Sequence, residues 1–122
     1  MDILPITIWR EARGEGEAGM LGVYWVIMGR ANSGRGLWPR ESERVCLQSM
    51  QFSCWNNHDP QRDLYPKPGD DSYALAVAIC LQPGVSNVAG ATAYYDENIT
   101  APPWATPENF TVQIGRLRFH KV

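Results

Sequence analysis

The sequence predicts an α+β fold, with helices first and a small antiparallel sheet last. Three observations carry that prediction. Residues 20–28 are apolar nearly all round, which suits a helix packed at the centre of a domain. Asp70-Asp71-Ser72 opens a well-marked helix that Pro83-Gly84 stops. Strand-like composition follows it, at residues 91–95 and 112–119. No internal repeat, low-complexity tract or linker interrupts the 122 residues, so 1–122 reads as one domain.

Taken in order, Asp2 can cap a first helix running to about residue 13, with Pro5 tolerated in its first turn. Its apolar stripe is Leu4, Ile8 and Ala12, which puts Glu11 at the edge of the buried face. Gly14 and Gly16 break this helix, and a second is expected over about 17–32. Glu15 and Glu17 sit where carboxylates suit the start of that second helix. Residues 37–51 read as a turn and a short helix capped at or near Ser42. Residues 51–57 have no sustained period and read as a structured loop, and the three prolines of 58–69 predict an exposed excursion. The helix over 70–81 and the two strand-like segments complete the chain, with Pro102, Pro103, Trp104 and Pro107 in the connection between the strands.

Composition limits what such a domain can do. Hydrophobic residues make up 44% and charged residues 20%, a globular balance. A formal net charge of -2 supplies no basic field for a nucleic acid partner. The apolar run at 23–28 is far short of the ~20 residues that a membrane span needs, so no membrane insertion is expected. The first residues carry Asp2 and Pro5 and no basic signal-like region, which predicts a protein made in the cytoplasm and delivered by other means. Cys46, Cys54 and Cys80 are odd in number; Cys46 and Cys54 are the nearest pair for one bridge, but no disulfide framework is implied. With two histidines and no ligand spacing of the zinc type, neither a metal nor another cofactor is expected.

Glu11 is the sharpest catalytic candidate. A carboxyl group held against a hydrophobic wall such as Trp9 or Trp25 keeps its proton near neutral pH and can act as a general acid. Position alone leaves a second reading open, an ion pair with Arg10, Arg13 or Arg30. A polar and aromatic set (Gln51, Ser53, Trp55, Asn56, Thr92, Tyr94, Tyr95 and Trp104) suits a neutral sugar, yet the same rings could simply staple loops to the core. Ser53 has no hydrolase motif around it, and a Cys54–His58 pair lacks the signatures of thiol catalysis.

Glu11-Ala12-Arg13-Gly14-Glu15, then Gly19 and residues 23–30, then Gln51-Phe52-Ser53-Cys54-Trp55, Gly90-Ala91-Thr92-x-Tyr94, Pro103-Trp104-Ala105 and Ile114-Gly115 through Phe119 together resemble the SleB-type cell wall hydrolase family. The order agrees over nearly the whole chain, with Gly29, Ala93 and Leu117 departing from the residues common in relatives. The resemblance implies a lysozyme-like, lytic-transglycosylase-like helical domain that cleaves the β-1,4 bond between N-acetylmuramic acid and N-acetylglucosamine. It places Glu11 at the family's essential glutamate, closing an anhydro-muramic ring or, with water, giving plain hydrolysis. Gln51 and Tyr94 are then expected to orient the sugar, Trp55 and Trp104 to line the cleft, and Ser53 and Thr92 to contact it. The partner implied is the glycan strand of peptidoglycan, met by a monomer in the manner of a phage lysin released through a holin-type membrane lesion. Two other functions stay open: an amidase cutting between the muramic lactyl group and L-alanine, and a non-catalytic wall-binding or virion module.

Overall fold

The computed structural model describes residues 2–48 and 52–122. Because residues 20–28 present apolar side chains on every side, their helix must be covered on every side. Helix α1 (Ile3–Ala12), α2 (Gly16–Ala31), α3 (Ser42–Leu47) and α4 (Asp71–Leu81) form the helical part, and α1, α3 and α4 all pack on α2. Val23, Val26 and Ile27 of α2 are fully buried there. Helix α4 starts as the sequence predicts, with Asp70 accepting a hydrogen bond from the Tyr73 N–H.

Helix α1 differs from its expectation in two ways. Asp2 occupies the cap position but makes no side-chain capping bond, and burial reaches beyond one stripe to Ile6, Thr7, Trp9 and Arg10. Its end is a 3-10 turn (Arg13–Glu15) that leads straight into α2 through Gly16, whose φ of 74° favours glycine. Glu15 caps nothing with its side chain. Its carboxylate instead reaches Arg116, accepting from the backbone N–H at 3.3 Å and the guanidinium at 3.1 Å. Ser42 is the first residue of α3, with Glu41 at the cap position, and the loop read over 51–57 contains a 3-10 turn (Ser53–Trp55).

The sheet has three antiparallel strands, β1 (Ala93–Asp96), β2 (Phe110–Ile114) and β3 (Leu117–His120), in the order β1-β3-β2. The strand-like run 112–119 is therefore a hairpin, turned at Gly115-Arg116 between the paired Ile114 and Leu117. Tyr94, Val112 and Phe119 point to the helical core. Phe119 wedges so closely against α2 that a Cβ on Gly22 would lie 2.7 Å from its ring. Ala93, Tyr95, Arg118 and His120 alternate onto the outer face.

Candidate active site

The last turn of α1 brings Glu11 to the junction of helices, the 52–55 segment and the inner face of the sheet. Tyr94 donates its hydroxyl to Glu11 Oε1 at 2.7 Å, and the Cys54 backbone N–H donates to Oε2 at 3.3 Å. The side chain is half-buried. Burial pushes its carboxyl above the ordinary carboxylate value, and the charge of Asp59 adds to the rise, against the Tyr94 and Cys54 bonds that favour the charged form. Burial and the adjoining carboxylate together push the Tyr94 hydroxyl well above the usual tyrosine value, so it remains a donor. Burial first, then the Glu11 charge, pushes the Cys54 thiol up as well.

The three arginines that could have neutralised Glu11 hydrogen-bond to other groups, although Arg30 is near enough to feel the Glu11 charge. Arg10 is 4% exposed, lies 4.4 Å from the Trp55 ring and 4.8 Å from the Tyr65 ring, and donates Nε–H to the Leu64 carbonyl. Arg13 stacks 4.3 Å over Trp9 and donates to the carbonyls of Trp9 and Arg10. Arg30 donates Nε–H to the Thr92 carbonyl at 2.6 Å and faces the rings of Phe52 and Trp38. Among the described residues no ion pair involves Glu11. Tyr94 and Cys54 contact it directly, while Trp9 spends its indole N–H on Ser72 of α4. Two hydrogen bonds occupy part of the carboxyl group's acceptor capacity, leaving room for a proton that can be given away.

The remaining sequence candidates separate. Tyr94 meets Glu11 directly, while Trp55 stands beside α1 with its indole N–H on Thr7 Oγ1 at 2.7 Å. Ser53 is exposed on the 3-10 turn. Thr92 is buried, and its hydroxyl is committed to the backbone of Val122, from which it accepts at 2.9 Å and to which it donates at 3.1 Å. Trp104 lies on the outer face of the sheet and, with Arg30, Leu37, Trp38 and Ala93, lines a cavity of about 340 Å³. Gln51 falls outside the described residues. Asn56 ends the 3-10 turn, and Tyr95 faces away from Glu11. Cys46, Cys54 and Cys80 are free thiols, and Cys54 is buried while His58 is exposed. Among the described residues no group of three His, Cys, Asp or Glu side chains could hold a metal ion.

Sequence reasoning missed Trp38, Asp59 and the arginine–aromatic stack of Arg10. Trp38 carries a signal in its bulk, since a tryptophan beside a Gly-Arg-Gly turn needs a surface to cover. Asp59 has none, because its effect on Glu11 depends on how the 58–69 excursion folds back.

No helix of the described residues is long and apolar enough to cross a membrane. Among curated proteins none matches this sequence. Among solved structures, the catalytic domain of the germination-specific lytic transglycosylase SleB from Bacillus anthracis superposes with a TM-score of 0.75 at 21% identity, over 98% of this chain and 91% of that one. The catalytic domain of the Bacillus cereus SleB protein gives the same TM-score and identity over 98% of this chain and 87% of that one. The helical part with its small three-stranded sheet is thus the fold of those catalytic domains. A family model described as Cell Wall Hydrolase matches residues 14–120, starting three positions after Glu11 and taking in Cys54, Tyr94 and the whole sheet, and the chain belongs to that cell wall hydrolase family.

Proposed function

We propose that this chain is a peptidoglycan lytic transglycosylase, with Glu11 as its acid and then its base. The observation that carries the reading is a half-buried carboxyl group with raised proton affinity, hydrogen-bonded by Tyr94 and Cys54 and in no ion pair among the described residues. Protonated Glu11 gives its proton to the oxygen of the β-1,4 bond between N-acetylmuramic acid and N-acetylglucosamine as an oxocarbenium-like centre forms. The substrate's acetamido oxygen shares that positive charge. Glu11, now ionised, takes the proton of the muramic C6 hydroxyl as that oxygen bonds to C1, giving the anhydro product. Tyr94 keeps the carboxyl group in one orientation. Trp55, beside α1, bounds the cleft, whereas Trp104, on the outer face of the sheet, lines a separate cavity with Arg30 and Trp38.

Two further points belong to this reading. A carboxylate partner of the usual glycosidase kind is not required, since the substrate supplies its own nucleophile. The setting that suits the activity is lysis by a monomeric enzyme that gains the wall when a lesion opens the membrane, and expression with and without a pore-forming protein tests that setting.

Mass spectrometry of digested sacculi decides the chemistry. Anhydro-muropeptides are the expected product; new reducing ends would make the enzyme a muramidase, and free stem peptides would make it an amidase. Glu11→Gln is expected to lower the rate by roughly 10²–10⁴-fold with the circular dichroism spectrum unchanged. A near-wild-type rate in that variant would remove Glu11 from the mechanism.

A further inference from the structure

The outer face of the sheet carries a second pocket, of about 320 Å³, lined by Tyr95, Thr106, Pro107, Phe110, Arg118 and His120. His120 is 3% exposed and enclosed by rings: Tyr95 stacks on it at 5.7 Å, and Trp104 and Phe110 meet it edge-on at 5.6 and 5.4 Å. Phe110 reaches it because the irregular register between Phe110 and Val112 sets Phe110 opposite His120.

The protonation of this imidazole follows from its neighbours. Asn109 Oδ1 accepts from the Thr106 N–H at 3.0 Å, and Asn109 Nδ2 donates to the Trp104 carbonyl at 2.7 Å, so the amide orientation is fixed. His120 Nδ1 lies 2.6 Å from that oxygen and must therefore carry a hydrogen. In the neutral ring Nε2 is then a bare acceptor, buried and without a hydrogen-bond partner. Two positions earlier on the same face, Arg118 leaves its Nε–H buried and without a partner, while Nη1 is occupied by Gln113 at 3.2 Å and the guanidinium sits 5.0 Å from the Phe110 ring. Buried polar atoms without partners are rare and call for an explanation.

A pocket with one unused acceptor, one unused donor and aromatic walls selects among ligand chemistries. A carboxylate satisfies Arg118 but bonds to Nε2 only if the ring takes up a proton, which its burial and the Arg118 charge oppose. An ammonium satisfies Nε2 but is repelled by Arg118. A secondary amide serves both at once. We infer that this pocket holds the acetamido group of an N-acetylated hexosamine, its N–H donating to His120 Nε2, its carbonyl accepting from Arg118 Nε, and its sugar face lying on Tyr95 or Phe110. Trp104 touches Tyr95 and His120 on one side and lines the Arg30 cavity on the other, so the pocket gives a wall polymer a hold on the outer face of the sheet, next to that cavity. The identity of that polymer rests on the function proposed above.

The test uses the Glu11→Gln protein, which leaves oligosaccharide intact, with nitrogen-15 in its histidines and backbone. It is titrated with fully N-acetylated chitotetraose and with the same tetramer stripped of acetyl groups. The expected result is a saturable shift of His120 Nε2 with the acetylated tetramer and none with the stripped one. Arg118→Met, which keeps the aliphatic stem over Phe110, should weaken that site by roughly tenfold or more. The parent titration stands by itself if this variant misfolds. Shifts confined to Cys54 and Tyr94, equal responses to both tetramers, or a bound water on Nε2 that neither tetramer disturbs would each overturn the pocket and leave the catalytic reading standing. A shift at His120 with none near Tyr94 would support the pocket and count against the cleft.

Discussion

Glu11 owes its chemistry to a balance of opposing effects, and each can be moved separately. Burial raises its proton affinity, Asp59 adds to the rise, and the bonds from Tyr94 and Cys54 oppose it. Tyr94→Phe removes one opposing bond, so the alkaline limb of the pH–rate profile should move to higher pH even as the rate falls. Asp59→Asn removes a like charge and should move that limb to lower pH; limbs that move together in both variants would refute this account. The same raised value has a cost in stability. Glu11's contribution is fully present below its unfolded value near 4.5 and is lost as pH rises through its higher folded value, where an ionised group is held in poor solvent. Glu11→Gln should therefore melt higher than the parent at pH 8, with the advantage shrinking toward pH 4.5. Equal differences at both pH values would show that the carboxyl group is not perturbed. The sequence marked this glutamate as an edge residue at a helix end, but not what touches it. Its phenol partner is 83 residues away, while the arginines nearby in sequence turn to carbonyls and rings.

Helices α2 and α4 were legible because their signals are local: an apolar run with no polar face, and an aspartate cap followed later by Pro-Gly. The hairpin was not read, although a signal exists. Apolar residues fall on even positions at Val112 and Ile114 and on odd ones at Leu117 and Phe119, and that change of phase marks a turn at Gly115-Arg116. Glu15 was assigned by the same local logic to a helix start, where a dipole favours a carboxylate, but the nearby Arg116 turn offered it a full positive charge and a backbone donor. Packing between elements also separates two glycines that look alike in sequence. Gly22→Ala should cost about 1–3 kcal/mol, since its methyl group would meet the Phe119 ring inside a filled core. Gly14→Ala meets nothing within 4 Å and should be neutral or slightly stabilising. Chemical denaturation of both variants checks the contrast, and similar losses would contradict it.

At the scale of the whole molecule, polar links among the described residues tie the sheet and its flanking turns to the helical part, among them Tyr94 to Glu11, Thr92 to Arg30, and Arg116 to Glu15. Phe119 supplies the apolar link to α2. The sheet should therefore unfold with the helices, so that far-ultraviolet dichroism and tryptophan fluorescence give coincident thermal transitions; a sheet transition that precedes the helical one would show two separable units. The sequence by itself determined the order of elements, the central helix and the carboxyl group at the corner, because caps, glycines and apolar periodicity act over a few neighbouring residues. Only the tertiary structure decided that Glu11 meets Tyr94 rather than an arginine, that Thr92 ties down Val122, and that Trp104 turns to the outer face. Those outcomes depend on which distant surfaces are buried together, and burial is a property of the packed molecule that no short window of residues contains.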